Sequence, residues 1–257
     1  EFSVTVQRSM QYASGRLAAH WHDCFELLYI TEGSRSFTAG GQSFLLDAGD
    51  ILCAAPICNL TDGTPVIEVC NALGFDAMTL GNHEFDNGYD AMCQILPKAA
   101  FPILCANIRR TDTGALLPFA KPWIMLERKG IQIAVIGLTT AYTPYMVKSF
   151  SGFTVQSPAA VLQELLPQVR SAGADLVIVL GHLPCTMVHG NPTGELWETY
   201  QAAPDVDVMI GGHNVGDVAC ITDHTVFVKA GFSVFRFLAD HIGIYMIFPK
   251  RPINRNC

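Results

Sequence analysis

Leu80-Gly81-Asn82-His83-Glu84-Phe85-Asp86-Asn87-Gly88 is the stretch from which the fold is read. Just before it, Phe75 to Leu80 is an apolar run interrupted only by Asp76 and Thr79, the pattern of a buried strand. Glycine on either side of the polar cluster lets the chain turn sharply where that strand ends. An amide, an imidazole and two carboxylates are therefore placed at the C-terminal edge of a strand, which in open α/β sheets is where ligands bind. A carboxamide oxygen and an imidazole can each take a hard or borderline divalent metal. A surface loop could hold the same residues without chemistry, but four capable groups crowd into the five positions from Asn82 to Asp86.

Outward from this stretch the pattern alternates. Upstream, Thr64 can cap a helix with Pro65 in its first turn, an apolar face of Val66, Ile67, Cys70 and Leu73, and Gly74 at its end. Downstream, Tyr89 to Leu96 reads as a helix stopped by Pro97, and Pro102 to Ile108 as another buried strand. Trp123 to Glu127 and Ile131 to Leu138 flank Lys129-Gly130, a hairpin signal. Ser157-Pro158 opens a helix with Val161, Leu162, Leu165, Leu166 and Val169 on one face, closed at Gly173. Asp175 to Leu180 is an apolar strand leading to Gly181-His182, and Val206 to Ile210 is another leading to Gly211-Gly212-His213. Strands alternating with helices, without an internal repeat, predict an α/β fold. A possible ligand, Asp50, Asn82, His182 or His213, follows a strand in four separate turns.

The chain has 257 residues, half of them apolar, enough for one sizeable core or two small ones. Charged residues make up 15% and the net charge is −7, which argues against nucleic acid as a partner. A small phosphate substrate is compatible if a metal supplies positive charge locally. No apolar run approaches the roughly 18 residues needed to span a bilayer, and Ile242 to Phe248 reads as a strand. The nine cysteines include no Cys-x-x-Cys pair, and Cys53, Cys70 and Cys105 sit in apolar runs, so the set reads as reduced thiols. The chain begins at Glu1 and shows no signal peptide, which leaves its compartment open.

Gly81-Asn82-His83-Glu84, preceded by Asn71 to Leu80, resembles the signature of the calcineurin-like metallophosphoesterases. The added Phe85-Asp86-Asn87-Gly88 is similar to their 5'-nucleotidase branch, and the resemblance runs from about Leu45 to about Ala230. It implies a β-sandwich flanked by helices and hydrolysis of phosphate esters of nucleotides or similar small molecules. It implies a divalent metal, Mn, Zn, Fe, Co or Mg, with Asp50 bridging two ions and Asn82, His182 and His213 binding one of them. It makes His83 the catalytic group that faces the substrate beside Asn82, with Asp86 holding its other ring nitrogen, and leaves Glu84 structural. The chain departs from the family at its first strand, where Val6-Gln7-Arg8-Ser9-Met10 holds no ligand, and at Val215, which replaces a histidine. One metal site is thus complete, the second is doubtful, and the activity is expected to be impaired. His20, His22 and Asp23 are upstream candidates for the missing ligands, while His189 and His224 read as surface residues.

Residues 1 to 49 differ in flavour. His20-Trp21-His22, the Phe25-Glu26-Leu27 run, Glu32-Gly33, Gly40-Gly41 and Gly49-Asp50 resemble the first half of an AraC-type sensor cupin and predict an antiparallel β meander. Such a segment lacks the strands that would close a barrel. The expected division is therefore 1–49 as a cupin-like β segment and 50–257 as a catalytic domain, incomplete at its N-terminal strand and without the family's C-terminal nucleotide-binding domain. Two other readings stand beside the phosphoesterase: a cupin fragment that senses a small ligand, and a catalytically inactive fusion remnant. No oligomeric state is implied.

Overall fold

Runs that are apolar on both faces demand cover on both sides, and the chain supplies it by stacking two sheets and laying helices outside each. The computed structural model describes residues 26–29, 44–52, 56–128, 130–148, 150–214, 218–222, 224–229 and 244–247, with the backbone alone at 26–29, 56, 57, 59 and 244–247. One sheet is parallel throughout, in the order β2 (Leu46–Asp47), β3 (Ala77–Thr79), β4 (Ile103–Leu104), β6 (Ala120–Lys121). The other runs β14 (Val218–Thr222), β15 (Thr225–Lys229), β13 (Val208–Gly211), β10 (Leu176–His182), β8 (Ile131–Thr139), β7 (Trp123–Arg128). Its four central strands are parallel and its two edge strands antiparallel. Three small ladders join β1 (Glu26–Tyr29) to β16 (Ile244–Ile247), β5 (Ile108–Arg110) to β9 (Phe153–Val155), and β11 (Thr186–Val188) to β12 (Asn191–Thr193).

Alternation along the strands assigns each side chain to a layer. Ile133, Val135, Ile178, Leu180, Val208 and Ile210 point inward and meet Phe44, Leu46, Ala77 and Leu104 of the first sheet. Ala134, Ile136, Leu138, Val177, Val179 and Met209 point outward. They meet Val161, Leu162, Leu165, Leu166 and Val169 of α5 (Pro158–Ser171) and Leu196 and Tyr200 of α6 (Glu195–Ala202). Behind the first sheet, Met78 and Ile103 pack on Ile67 and Cys70 of α2 (Thr64–Leu73) and on Met92 and Ile95 of α3 (Gly88–Ile95). The expected sandwich flanked by helices is present. The helices α1 (Pro56–Thr61) and α4 (Thr143–Met146) are short, with 6 and 4 residues. Among the described residues no helix is long and apolar enough to cross a membrane.

Two local expectations change. Gly63 (φ +90°), not Thr64, occupies the cap of α2, and the Asp62 carboxylate accepts the Thr64 N–H at 3.0 Å. The 102–108 run is not one strand. It leaves the first sheet after β4, and the Ala106 N–H donates to Gly137 O of the second sheet at 2.8 Å. Asn107 then fastens the crossing, donating to Thr139 O at 2.6 Å and accepting the Thr139 N–H at 2.9 Å. The hairpin holds, with Arg128 opposite Ile131. Apart from β1 and residues 44–49, the anticipated N-terminal meander lies outside the described residues.

Candidate metal centre

The parallel strands β2 and β3 of one sheet and β10 and β13 of the other deliver their C-terminal ends to one edge of the sandwich. Two of these turns touch. A Cβ on Gly49 (φ +92°) would lie 2.5 Å from Gly81 N, and one on Gly81 would lie 2.2 Å from Asp50 Oδ1, so neither position has room for a side chain. Buried Glu84 buckles the same turns together. Its carboxylate accepts N–H bonds from Gly81 at 2.6 Å, Asp50 at 2.9 Å and Leu52 at 3.1 Å. Burial and the neighbouring Asp50 charge push its pKa up to about 7 against those bonds.

Asp50 stands in the left-handed region at φ +70°. Its Oδ1 accepts the His83 N–H at 2.9 Å, and its Oδ2 lies 3.0 Å from His182 Nε2. Burial works to raise its pKa, but the His182 imidazole and the His83 N–H hold it below the usual carboxylate range. Buried His182, the last residue of β10, donates from Nδ1 to Ala48 O at 2.8 Å. Ala48 O can only accept, so the neutral ring keeps its lone pair on Nε2. That nitrogen faces Asn82 Oδ1 at 3.1 Å and His213 Nδ1 at 3.1 Å, and the last two atoms are 2.9 Å apart.

Asp50, Asn82, His182 and His213 thus converge, and the ligand atoms of Asp50, His182 and His213 lie within 4.8 Å of one another. A carboxylate oxygen, an amide oxygen and two imidazole nitrogens share one small space. A single proton can satisfy only part of such a cluster. A divalent ion that accepts mixed N and O donors satisfies all of it, so the donor set fits one. The two imidazoles cannot readily both be protonated. Burial and the neighbouring His182 push the His213 pKa down to about 4, whereas Asp50 holds that of His182 above its ordinary value despite burial.

His83 sits beside this cluster rather than in it. Its Nδ1 lies 2.6 Å from Asp86 Oδ2, with the two side chains 37% and 36% exposed. Burial opposes protonation of the imidazole, but the Asp86 hydrogen bond and the Asp50, Asp86 and Glu84 charges raise its pKa. His189 and His224 are exposed, as expected, while His20, His22, Asp23 and Val215 lie outside the described residues. Glu84 is structural, as expected, but the span of its hydrogen bonds is not visible in the sequence. Lys229 was not among the expected residues; its signal is an ionisable residue closing the apolar run Val226 to Val228 at this same sheet edge.

The chain is similar to known proteins over most of its length. The family model described as calcineurin-like phosphoesterase matches residues 17–217, which takes in part of the stretch expected to be cupin-like. Protein UshA of Yersinia enterocolitica is 32% identical over 194 residues, covering 72% of this chain and 35% of its own. A 5'-nucleotidase of Vibrio parahaemolyticus is 35% identical over 198 residues, covering 74% and 35%. The chain thus spans about a third of the length of these curated relatives. The crystal structure of the calcineurin-like phosphoesterase YfkN of Bacillus subtilis shares the fold, with a TM-score of 0.63 at 21% identity over 81% of this chain and 76% of that one. With well over half its length matched, this chain belongs to the calcineurin-like phosphoesterase family.

Proposed function

We propose that the chain hydrolyses phosphate esters of nucleotides or similar small molecules, using a divalent ion held by Asp50, Asn82, His182 and His213. The observation that carries this reading is the meeting of those four donors beside the His83–Asp86 pair. The nucleotide part rests on those relatives that are named 5'-nucleotidase, that of Vibrio parahaemolyticus among them. When bound, the ion neutralises phosphoryl charge and acidifies an attacking water. Mn, Zn, Fe, Co and Mg all suit parts of this donor set.

The protein's own groups do the rest. The Ala48 carbonyl fixes the His182 ring so that Nε2 points at the donor cluster. Asp86 holds Nδ1 of His83 and leaves Nε2 to face the ester and protonate the departing alkoxide. The His83 N–H steadies Asp50, so the acid and the ion-binding carboxylate keep a constant relation. Asn82 and His83 are adjacent, and both contact the substrate. Among the described residues one group of ligand-bearing side chains is assembled, and hydrolysis with one ion is expected to be slower than with a pair.

Hydrolysis of p-nitrophenyl phosphate and of AMP with added manganese tests the proposal. His83→Ala should lower the rate by roughly 10²- to 10⁴-fold while elemental analysis finds the same bound metal. Equal rates for the two proteins would remove His83 from the chemistry.

A further inference from the structure

Lys229 ends β15 with its side chain fully buried, at 0% exposure, and its Nζ donates to Asn214 O at 2.7 Å. Burying an ammonium is costly, and an apolar side chain of similar size usually serves stability as well or better. Packing alone does not account for a lysine here.

Its surroundings suggest what does. Lys229 is opposite Gly211 in the β13–β15 ladder, and a Cβ on Gly211 would meet the Lys229 Cβ and Cγ, each at 3.2 Å. The lysine stem therefore lies against the start of the turn from Gly211 to Asn214, and its ammonium holds the end of it. The same turn is gripped twice more. The Cys185 N–H donates to Asn214 Oδ1 at 3.0 Å, and Gly212 has no room for a side chain because Ala48 O would stand 2.9 Å from its Cβ. Between these grips His213 adopts φ +80°, a conformation that an imidazole-bearing residue takes at a cost and keeps only when its neighbours enforce it. That conformation accompanies the 2.9 Å approach of His213 Nδ1 to Asn82 Oδ1.

We propose that Lys229 is a positioning residue: its ammonium, clamped on the Asn214 carbonyl, holds the Gly211–Asn214 turn so that His213 reaches the ion-binding point. This rests on the metal-centre reading above. It assigns to the fully buried cation a task carried out through His213, without contact with substrate.

Isothermal titration of the full chain with Mn²⁺ alone tests it. Lys229→Met keeps the stem and removes the donor. It should weaken Mn²⁺ binding by about 10- to 100-fold and leave the metal-free urea midpoint unchanged or higher. Because Lys229 acts through His213, Lys229→Met added to His213→Ala should weaken binding by less than about twofold beyond His213→Ala alone, since residues in one chain of contacts are not additive. Unchanged binding by Lys229→Met overturns the proposal, and so do fully additive losses. If Lys229→Met fails to fold, Lys229→Gln, which keeps an N–H donor, takes its place with binding within a few-fold of the unaltered chain expected. A larger loss, or failure of both variants to fold, assigns Lys229 to stability and overturns the proposal. An unaltered chain that binds no Mn²⁺ overturns the metal-centre reading itself, a result distinct from equal binding by both proteins.

Discussion

A methyl group is too large for position 81. The Cβ of Gly81→Ala would lie 2.2 Å from Asp50 Oδ1 and 2.7 Å from Asp50 N, so the two turns must separate. We expect Gly81→Ala to cost about 1–3 kcal/mol of stability and to weaken Mn²⁺ binding at least tenfold, measured by urea unfolding and by calorimetric titration. Binding at native strength would show that the close approach of the turns is incidental to the donor cluster. The placement of Asp50, Asn82, His182 and His213 in turns at strand ends was legible at this scale because each follows an apolar run and lies beside a glycine. The tasks of Glu84 and Lys229 were not. The three N–H groups on Glu84 come from residues up to 34 positions away, and the carbonyl on Lys229 from another strand's turn. Such partners exist only once the two sheets have stacked.

Among the elements, α5 shows pattern overriding propensity. Pro167 lies inside it, where a ring removes a backbone donor and crowds the preceding turn. The helix persists because Val161, Leu162, Leu165, Leu166 and Val169 bury a continuous face while Pro167 lies on the exposed side. Replacing that proline restores a donor to the Gln163 carbonyl. Pro167→Ala is therefore expected to raise stability by about 1–2 kcal/mol, read as a higher urea midpoint at unchanged hydrolysis rate; a lower midpoint would contradict this account. The five-residue apolar face made this helix readable from the chain alone. The run from 102 to 108 was not readable as two pieces. Apolar character marks it as buried but does not say which sheet buries each half, and the bonds from Ala106 to Gly137 and between Asn107 and Thr139 reveal the crossing.

For the whole molecule, the cysteines set a limit on the alkaline side. The Cys58, Cys70, Cys105, Cys185 and Cys220 thiols are all unpaired, and burial raises the pKa of each, to about 12 for Cys70 and about 11 for Cys185. Between pH 9 and 12 the unfolded chain has released protons that the native chain retains, so unfolding becomes easier as pH rises through that window. Urea midpoints should fall progressively above pH 9, and substitution of Cys70 by Ala should flatten that fall. A midpoint indifferent to pH from 8 to 11 would contradict the burial of these thiols. The α/β alternation was readable at this scale because apolar strand runs alternate with amphipathic helices, whereas the sandwich was an expectation from the family resemblance alone. The joining of β1 to β16 was not, since those segments stand over 200 positions apart.

Two of the four donors, Asp50 and Asn82, come from one sheet, and the other two, His182 and His213, from its neighbour. An ion gathered by all four would act as a rivet through both plates of the sandwich, locking them against sliding at that edge. At a hundred times its dissociation constant it would add about 2.7 kcal/mol to the native state. Chelation would then slacken the assembly mechanically as well as silence it chemically.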